Sequence, residues 1–268
     1  HRMGLITSEN LTIGKGQVQL AKHASLNPTA LTNGFRDIGN APGLSLNIAT
    51  EKLEHFSSRG GIRQKDDSTT VQVTRTGTLQ FDDMDPENLA MLFLGQALSV
   101  AASSASNKTE TFTAITLGYG YQLGQTALNP SGDRAVSIDS VTLAAAPNTP
   151  LVLNTDYEID LARGFIRIKK GSTLFAGGHL ATGFTVTYDV AASTRKQVIS
   201  GGTEFVGAMQ YHAYNPKGAN LDYFFPYVKL SPSGDLALIG EEYMTGSFSV
   251  EALPLGDLPA ILLNGQPV

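Results

Sequence analysis

Cysteine is absent from the sequence. That removes a disulfide framework, a thiolate zinc site and a cysteine nucleophile together, and it fits a reducing cytoplasm. No stretch approaches the roughly 18 apolar residues that a membrane-spanning helix needs. The start lacks the charged-then-apolar pattern of a signal peptide, so a soluble, non-secreted protein with no membrane partner is expected. His1 and Arg2 ahead of Met3 read as a scar before the native start. A basic excess is also missing: 19 Lys and Arg stand against 24 Asp and Glu, for a net charge of −5. The counterion-release term that holds proteins on nucleic acid is therefore small, and a stable DNA binder is disfavoured. Passage of DNA along an acidic surface without grip is compatible with the same charge.

Glycine is plentiful, at 28 of 268 residues, while tryptophan is absent and 41% of residues are hydrophobic. This composition suits many short strands joined by tight turns, and the length suffices for a real core. The expected class is mainly β. A main β domain is expected over residues 3–129 and 193–268, with an inserted β subdomain at 130–192. Within the latter, Leu161, Ala162, Arg163 and Gly164 read as a hairpin turn, and Phe184, Val186 and Tyr188 alternate as a strand does. The last third supplies long aromatic strands around 205–214, 223–230 and 240–250.

One segment stands apart. Leu44, Leu46 and Ile48 share one face of an extended run, and Val71, Val73, Leu79 and Phe81 keep the same period on the return, which predicts a hairpin over about 44–80 with a packed base. Between them the parity breaks at Leu53 and the residues turn polar. Lys52, Arg59, Arg63 and Lys65 are balanced by Glu51, Glu54, Asp66 and Asp67. At about 3.3 Å per residue, residues 44–56 would reach roughly 40 Å, twice an ordinary strand. Mixed charge of this kind can simply protect an exposed sheet edge. It also suits an arm lying on neighbouring subunits, with Leu53, Phe56 and Ile62 as apolar anchors among charges that set register. A helix over about 85–95 follows: Asp85 caps it, Pro86 suits its first position, Glu87 favours its dipole and Gly95 ends it. Leu89, Leu92 and Phe93 would pack on the sheet, with Asn88 and Gln96 outward. Residues 97–106 read as a frayed extension or a linker.

A search for chemistry yields nothing. The histidines have no metal-ligand spacing. Asp82, Asp83 and Asp85 lack an EF-hand spacing. Gly14-Lys15-Gly16 and Gly118-Tyr119-Gly120 lack the context of a phosphate loop, and no GxSxG elbow occurs. Glu241 and Glu242, adjacent on an expected strand, would point to opposite faces. Tyr211, Tyr214, Tyr223, Phe224, Phe225 and Tyr227 are better read as strand packing than as a sugar platform. No catalytic, cofactor or metal site is expected.

Residues 43–95 run GLSLNIATEKLEHFSSRGGIRQKDDSTTVQVTRTGTLQFDDMDPENLAMLFLG. The order of a leading strand, an EKLEHFSS tip, a basic turn, a TRTGTL return strand and a capped helix at PENLA resembles the major tail tube protein of long-tailed, non-contractile bacteriophages. The resemblance is good over residues 14–95, weaker in the last strands and silent over 130–192. It implies a β-sandwich or small barrel with a flanking helix, whose subunits form rings, commonly hexameric, that stack around a DNA channel in the virion after assembly in the host cytoplasm. It further implies tape measure and tail terminator proteins as partners. The interface residues on that view are Glu51, Leu53, Glu54, Phe56, Arg59, Ile62, Arg63, Lys65, Asp66 and Asp67. The inner tube of a contractile tail or related injection device, and a β-sandwich module binding carbohydrate or a receptor, are the other readings.

Overall fold

A computed structural model describes residues 11–31 and 34–265; the reading of His1, Arg2 and Met3 lies outside them. In chain order the first elements are β1 (Gly16–Lys22), β2 (Arg36–Asp37), β3 (Gly43–Ser57), β4 (Gln64–Phe81), α1 (Pro86–Leu92) and β5 (Gln96–Ala102). Then come β6 (Ala105–Phe112), β7 (Gly120–Gln122), β8 (Val136–Leu143), β9 (Ala146–Pro150), β10 (Tyr157–Asp160), β11 (Phe165–Ile168), α2 (Thr173–Ala176), β12 (Phe184–Val190) and β13 (Ser193–Ile199). The chain closes with β14 (Phe205–Ala213), β15 (Leu221–Pro232), β16 (Gly246–Leu253) and β17 (Leu262–Gly265). The fold is mainly β, and β1 with β14, β6 with β12, β14 with β15, β4 with β16 and β3 with β4 all pair antiparallel.

Two compact units emerge, His1–Leu98 with Gln197–Val268, and Ser99–Lys196. The second is wider than the 130–192 insertion read from the sequence. The reason is pairing: β6 lies against β12, and β7 against β11, so residues before 130 complete its sheets. The segment 97–106, expected as a frayed helix end or linker, instead forms parts of β5 and β6, and β5 pairs with β13.

In the first unit the strand order is β2-β1-β14-β15-β16-β4-β3, with β17 also on β15. Period-two alternation gives this sheet one apolar face, where Val18, Leu20, Leu79, Phe81, Met209, Phe225, Val228, Leu230, Phe248 and Val250 form a single buried cluster. Phe81 stacks on Phe248, with ring centroids 5.1 Å apart. A Cβ at Gly246 would fall 2.4 Å from the Phe81 ring, so glycine is required where that ring crosses the neighbouring strand.

Helix α1 begins as expected, with the Asp85 carboxylate accepting from the Asn88 backbone N–H at 2.6 Å and Pro86 at the first helical position. Its packing face differs. Asn88 is buried, and Met91 and Leu92 lie against the core with it, whereas Phe93 is exposed. Asn88 is held inward by hydrogen bonds: Nδ2 donates to the Ile38 and Asp83 carbonyls, both at 2.8 Å, and Oδ1 accepts from Arg36 Nη2 at 2.7 Å. A polar residue turns inward when every donor and acceptor finds a partner. The helix ends at Leu92, about three residues short of the expected 95. Leu94 takes the left-handed conformation, with φ 52°, and the Gly95 N–H returns to the Ala90 carbonyl. Gly95 is needed for another reason, because a Cβ there would lie 1.7 Å from the Ile199 carbonyl oxygen.

The second unit has its own core. Strand β12 alternates buried and half-buried along its whole length, as its sequence predicts, and Phe184, Val186 and Tyr188 pack with Leu123, Ile166, Ile168 and Phe175. Gly164, with φ 60°, makes the turn between β10 and β11 where the hairpin was expected.

Candidate assembly surface

Strands β3 and β4 form one unbroken hairpin, from Gly43 opposite Gln80 to Ser57 opposite Gln64. On its other side, β4 pairs with β16 only from Phe81, opposite Gly246, to Thr76, opposite Glu251. Beyond Thr76 the two strands have only each other among the described residues, and every residue over 45–56 and 58–74 is exposed. From Asn47 to Ser57, ten steps of about 3.3 Å make an arm of roughly 33 Å.

This corrects the reading of a packed hairpin base. Buried contact ends at Leu79, with Leu44 half-buried opposite it; Leu46, Ile48, Val71 and Val73 continue the apolar pattern out into solvent. These four are interface candidates that sequence reasoning missed. Alternation signals a strand face that becomes buried, and it is the same whether the chain's own core or a second molecule buries it.

The residues singled out from the sequence come together on the far half of the arm. Glu51 lies opposite Gln72, Leu53 opposite Thr69 and Phe56 opposite Lys65. Lys65 is ion-paired with Glu54, His55 contacts the Asp66 carboxylate, and Asp67 stands opposite His55. The Arg63 guanidinium lies 5.4 Å from the Phe56 ring centroid. Arg59 and Ile62 occupy the turn, where Ile62 is 80% exposed; Leu53, on the strand, is 69% exposed. The ladder slips between Glu51 and Lys52 and again between His55 and Phe56, each slip leaving one extra residue on β4. Strand β3 stays regular through both, so Leu53 projects on the face opposite Leu46 and Ile48. The arm thus offers apolar side chains on both faces. Its outer edge, the whole of β3, has no further strand beside it among the described residues.

Elsewhere, several groups weighed for chemistry have partners within the fold. Tyr211 meets Tyr223 edge-on at 5.9 Å and Tyr223 stacks with Phe225 at 6.5 Å, so these rings pack against one another. They line a groove of about 520 Å³ with Val18 and Leu44, and burial there raises the Tyr211 pKa. His23 is buried, with Nε2 at 3.0 Å from the Pro226 carbonyl. Asp82 accepts from Asn40, and Asp85 is taken up by the helix cap and by Arg36. Among the described residues no group of three or more His, Asp or Glu side chains is placed to hold a metal ion. Glu241 and Glu242 correct an expectation: they sit in the loop 233–245 between β15 and β16, because β16 starts only at Gly246. In the second unit, burial, and then the Asp133 carboxylate that accepts its hydroxyl at 3.0 Å, push the Tyr188 phenol well above its ordinary range.

No curated protein matches the chain. Residues 11–254, which include the arm and both compact units almost whole, match the family described as protein of unknown function UCP028589, and the chain belongs to that family.

Proposed function

We propose that this protein is a structural subunit that self-assembles, through its β3–β4 arm, into stacked rings forming the tail tube of a long-tailed bacteriophage, the conduit for DNA delivery. One observation carries the reading: an arm that, among the described residues, is paired only with itself holds large apolar side chains in water on both of its faces. Such a feature is costly for a monomer, and burying each of these side chains on a neighbour would return about 1.5–3 kcal/mol. The fifteen-residue edge strand β3 supports the same reading, since a neighbour's strand added there would satisfy its open hydrogen-bonding groups. A net charge of −5 suits a channel through which DNA slides without being gripped. The resemblance of residues 43–95 to tail tube proteins supplies the specific assembly, and with it ring formation, virion location and the tape measure and terminator partners.

The test is negative-stain microscopy and sedimentation velocity over a concentration series of the full chain. Rings or tubes should appear as concentration rises, and a version with residues 50–73 replaced by a two-residue Asn-Gly turn, which joins the partners Ala49 and Thr74, should stay monomeric and folded. A wild-type chain that remains monomeric at every concentration would refute the proposal and favour a binding module.

A further inference from the structure

The arm's tip and the loop 233–245 leave the same strand ladder at opposite ends. Strands β4 and β16 are paired from Phe81 and Gly246 at one end to Thr76 and Glu251 at the other. The loop joins Pro232 to Gly246 at the Phe81 end, while β4 runs past Thr76 to the tip. From Phe81 to Gln64 the extended chain spans roughly 55 Å, so the tip cannot reach the loop of its own molecule.

The two ends are complementary. At the loop end, Ile239 is 97% and Tyr243 96% exposed, and Leu238 is exposed beside them. Leu92, Phe93 and Leu236 line a hollow of about 230 Å³ at the loop's base, with Asp235 at its rim. Asp235, Glu241 and Glu242 have no ion-pair partner among the described residues. At the tip, Ile62 stands out as an apolar knob between Arg59 and Arg63. Among the described residues neither arginine has a carboxylate partner, whereas Lys65 pairs with Glu54 and His55 with Asp66. One end is therefore an apolar hollow bordered by Asp235, with Glu241 and Glu242 farther along the same loop, and the other an apolar knob flanked by two arginines.

We infer that the arm tip of one copy docks on the loop 233–245 and the adjoining hollow of a second copy of this chain, displaced along the strand direction. The inference rests on the self-assembly reading above and names the receiving surface. Ile62 fills the hollow beside Phe93, and Arg59 and Arg63 meet Asp235, Glu241 and Glu242. Because the two patches differ, the contact is heterologous, and repeating it adds copies head to tail with one polarity. Charge pairs at the rim fix the register of the seat, while the apolar knob supplies most of the affinity.

Charge reversal in compensating sets tests this in the full chain. Arg59→Glu with Arg63→Glu, and separately Glu241→Arg with Glu242→Arg, should each raise the concentration needed for assembly about tenfold or more. Combining all four should bring it back to within about threefold of wild type. All four residues lie outside both cores, and unchanged urea midpoints would verify the fold. If the loop set assembles normally while the tip set does not, the docking site is overturned and the tube reading stands. If wild type never assembles, both fall. Freedom from native cysteine allows a direct second readout. Ile62→Cys and Ile239→Cys chains, mixed under mild oxidation, should form disulfide dimers at least tenfold faster than either alone; equal rates would overturn the contact.

Discussion

Gly77 lies between Leu46 on β3 and Val250 on β16, one pair short of the point where the eight-stranded sheet gives way to the free arm. A Cβ on Gly77 would stand 2.3 Å from the Ser45 carbonyl oxygen, so the two arm strands approach more closely here than any side chain allows. Gly77→Val should force β3 and β4 apart at this point. The expected loss is about 1–3 kcal/mol in urea denaturation, typical of overpacking. Because the strain falls at the root of the arm, assembly in sedimentation should weaken by more than the stability loss alone explains.

Asn88 is 1% exposed and serves two carbonyls and one guanidinium. Asn88→Leu keeps the branched outline of the side chain, yet it leaves the Ile38 and Asp83 carbonyls and Arg36 without these bonds. Buried groups stripped of partners cost about 1–3 kcal/mol. Asp85→Ala, which removes only the helix cap, should cost about 1 kcal/mol. Chemical denaturation of the two variants side by side checks the order; a smaller loss for Asn88→Leu would mean its role is packing alone.

Tyr188 is buried and its pKa is raised by desolvation and by Asp133. The fold thus favours the neutral phenol. Between the ordinary tyrosine value near pH 10 and the higher value in the fold, the unfolded chain has lost a proton that the folded chain keeps. Stability is therefore fully present below about pH 10 and falls above it, by up to about 1.4 kcal/mol per pH unit for this one group. Tyr157 and Tyr211, both raised by burial, act in the same direction. Urea midpoints between about pH 8 and 12 should show the decline, and Tyr188→Phe should make it shallower while costing roughly 1 kcal/mol at neutral pH through the lost bond to Asp133.

Much of this architecture could be read from local rules. The cap at Asp85, the turn at Gly164 and the strand of Phe184, Val186 and Tyr188 follow from short-range chemistry, and each appears where the sequence places it. What escaped the sequence depends on distant partners. Asn88 looks like a surface residue until Arg36 and the Ile38 carbonyl close around it. Residues 97–106 are too small and polar to announce a strand, and become one only by pairing with β12 and β13. The candidate surface was legible in its charged half, because the parity break and charge density over 50–70 are local. Its apolar half was hidden, since Leu46, Ile48, Val71 and Val73 read as core.

That ambiguity yields the sharpest prediction. Leu79 and Leu53 are leucines on opposite strands of one hairpin, yet Leu79 is fully buried in its own core and Leu53 stands in water. Leu79→Ala should cost about 2–5 kcal/mol of unfolding free energy, because it opens a cavity beside Phe81 and Phe248. Leu53→Ser combined with Ile62→Ser should leave the urea midpoint within about 0.5 kcal/mol of wild type, as for ordinary surface changes. If a neighbouring copy buries both side chains, losing them removes about 3–6 kcal/mol of contact energy, and the assembly concentration should rise at least a hundredfold. Sedimentation velocity on the double variant reads this directly. Unimpaired assembly would mean that Leu53 and Ile62 make no contact between subunits.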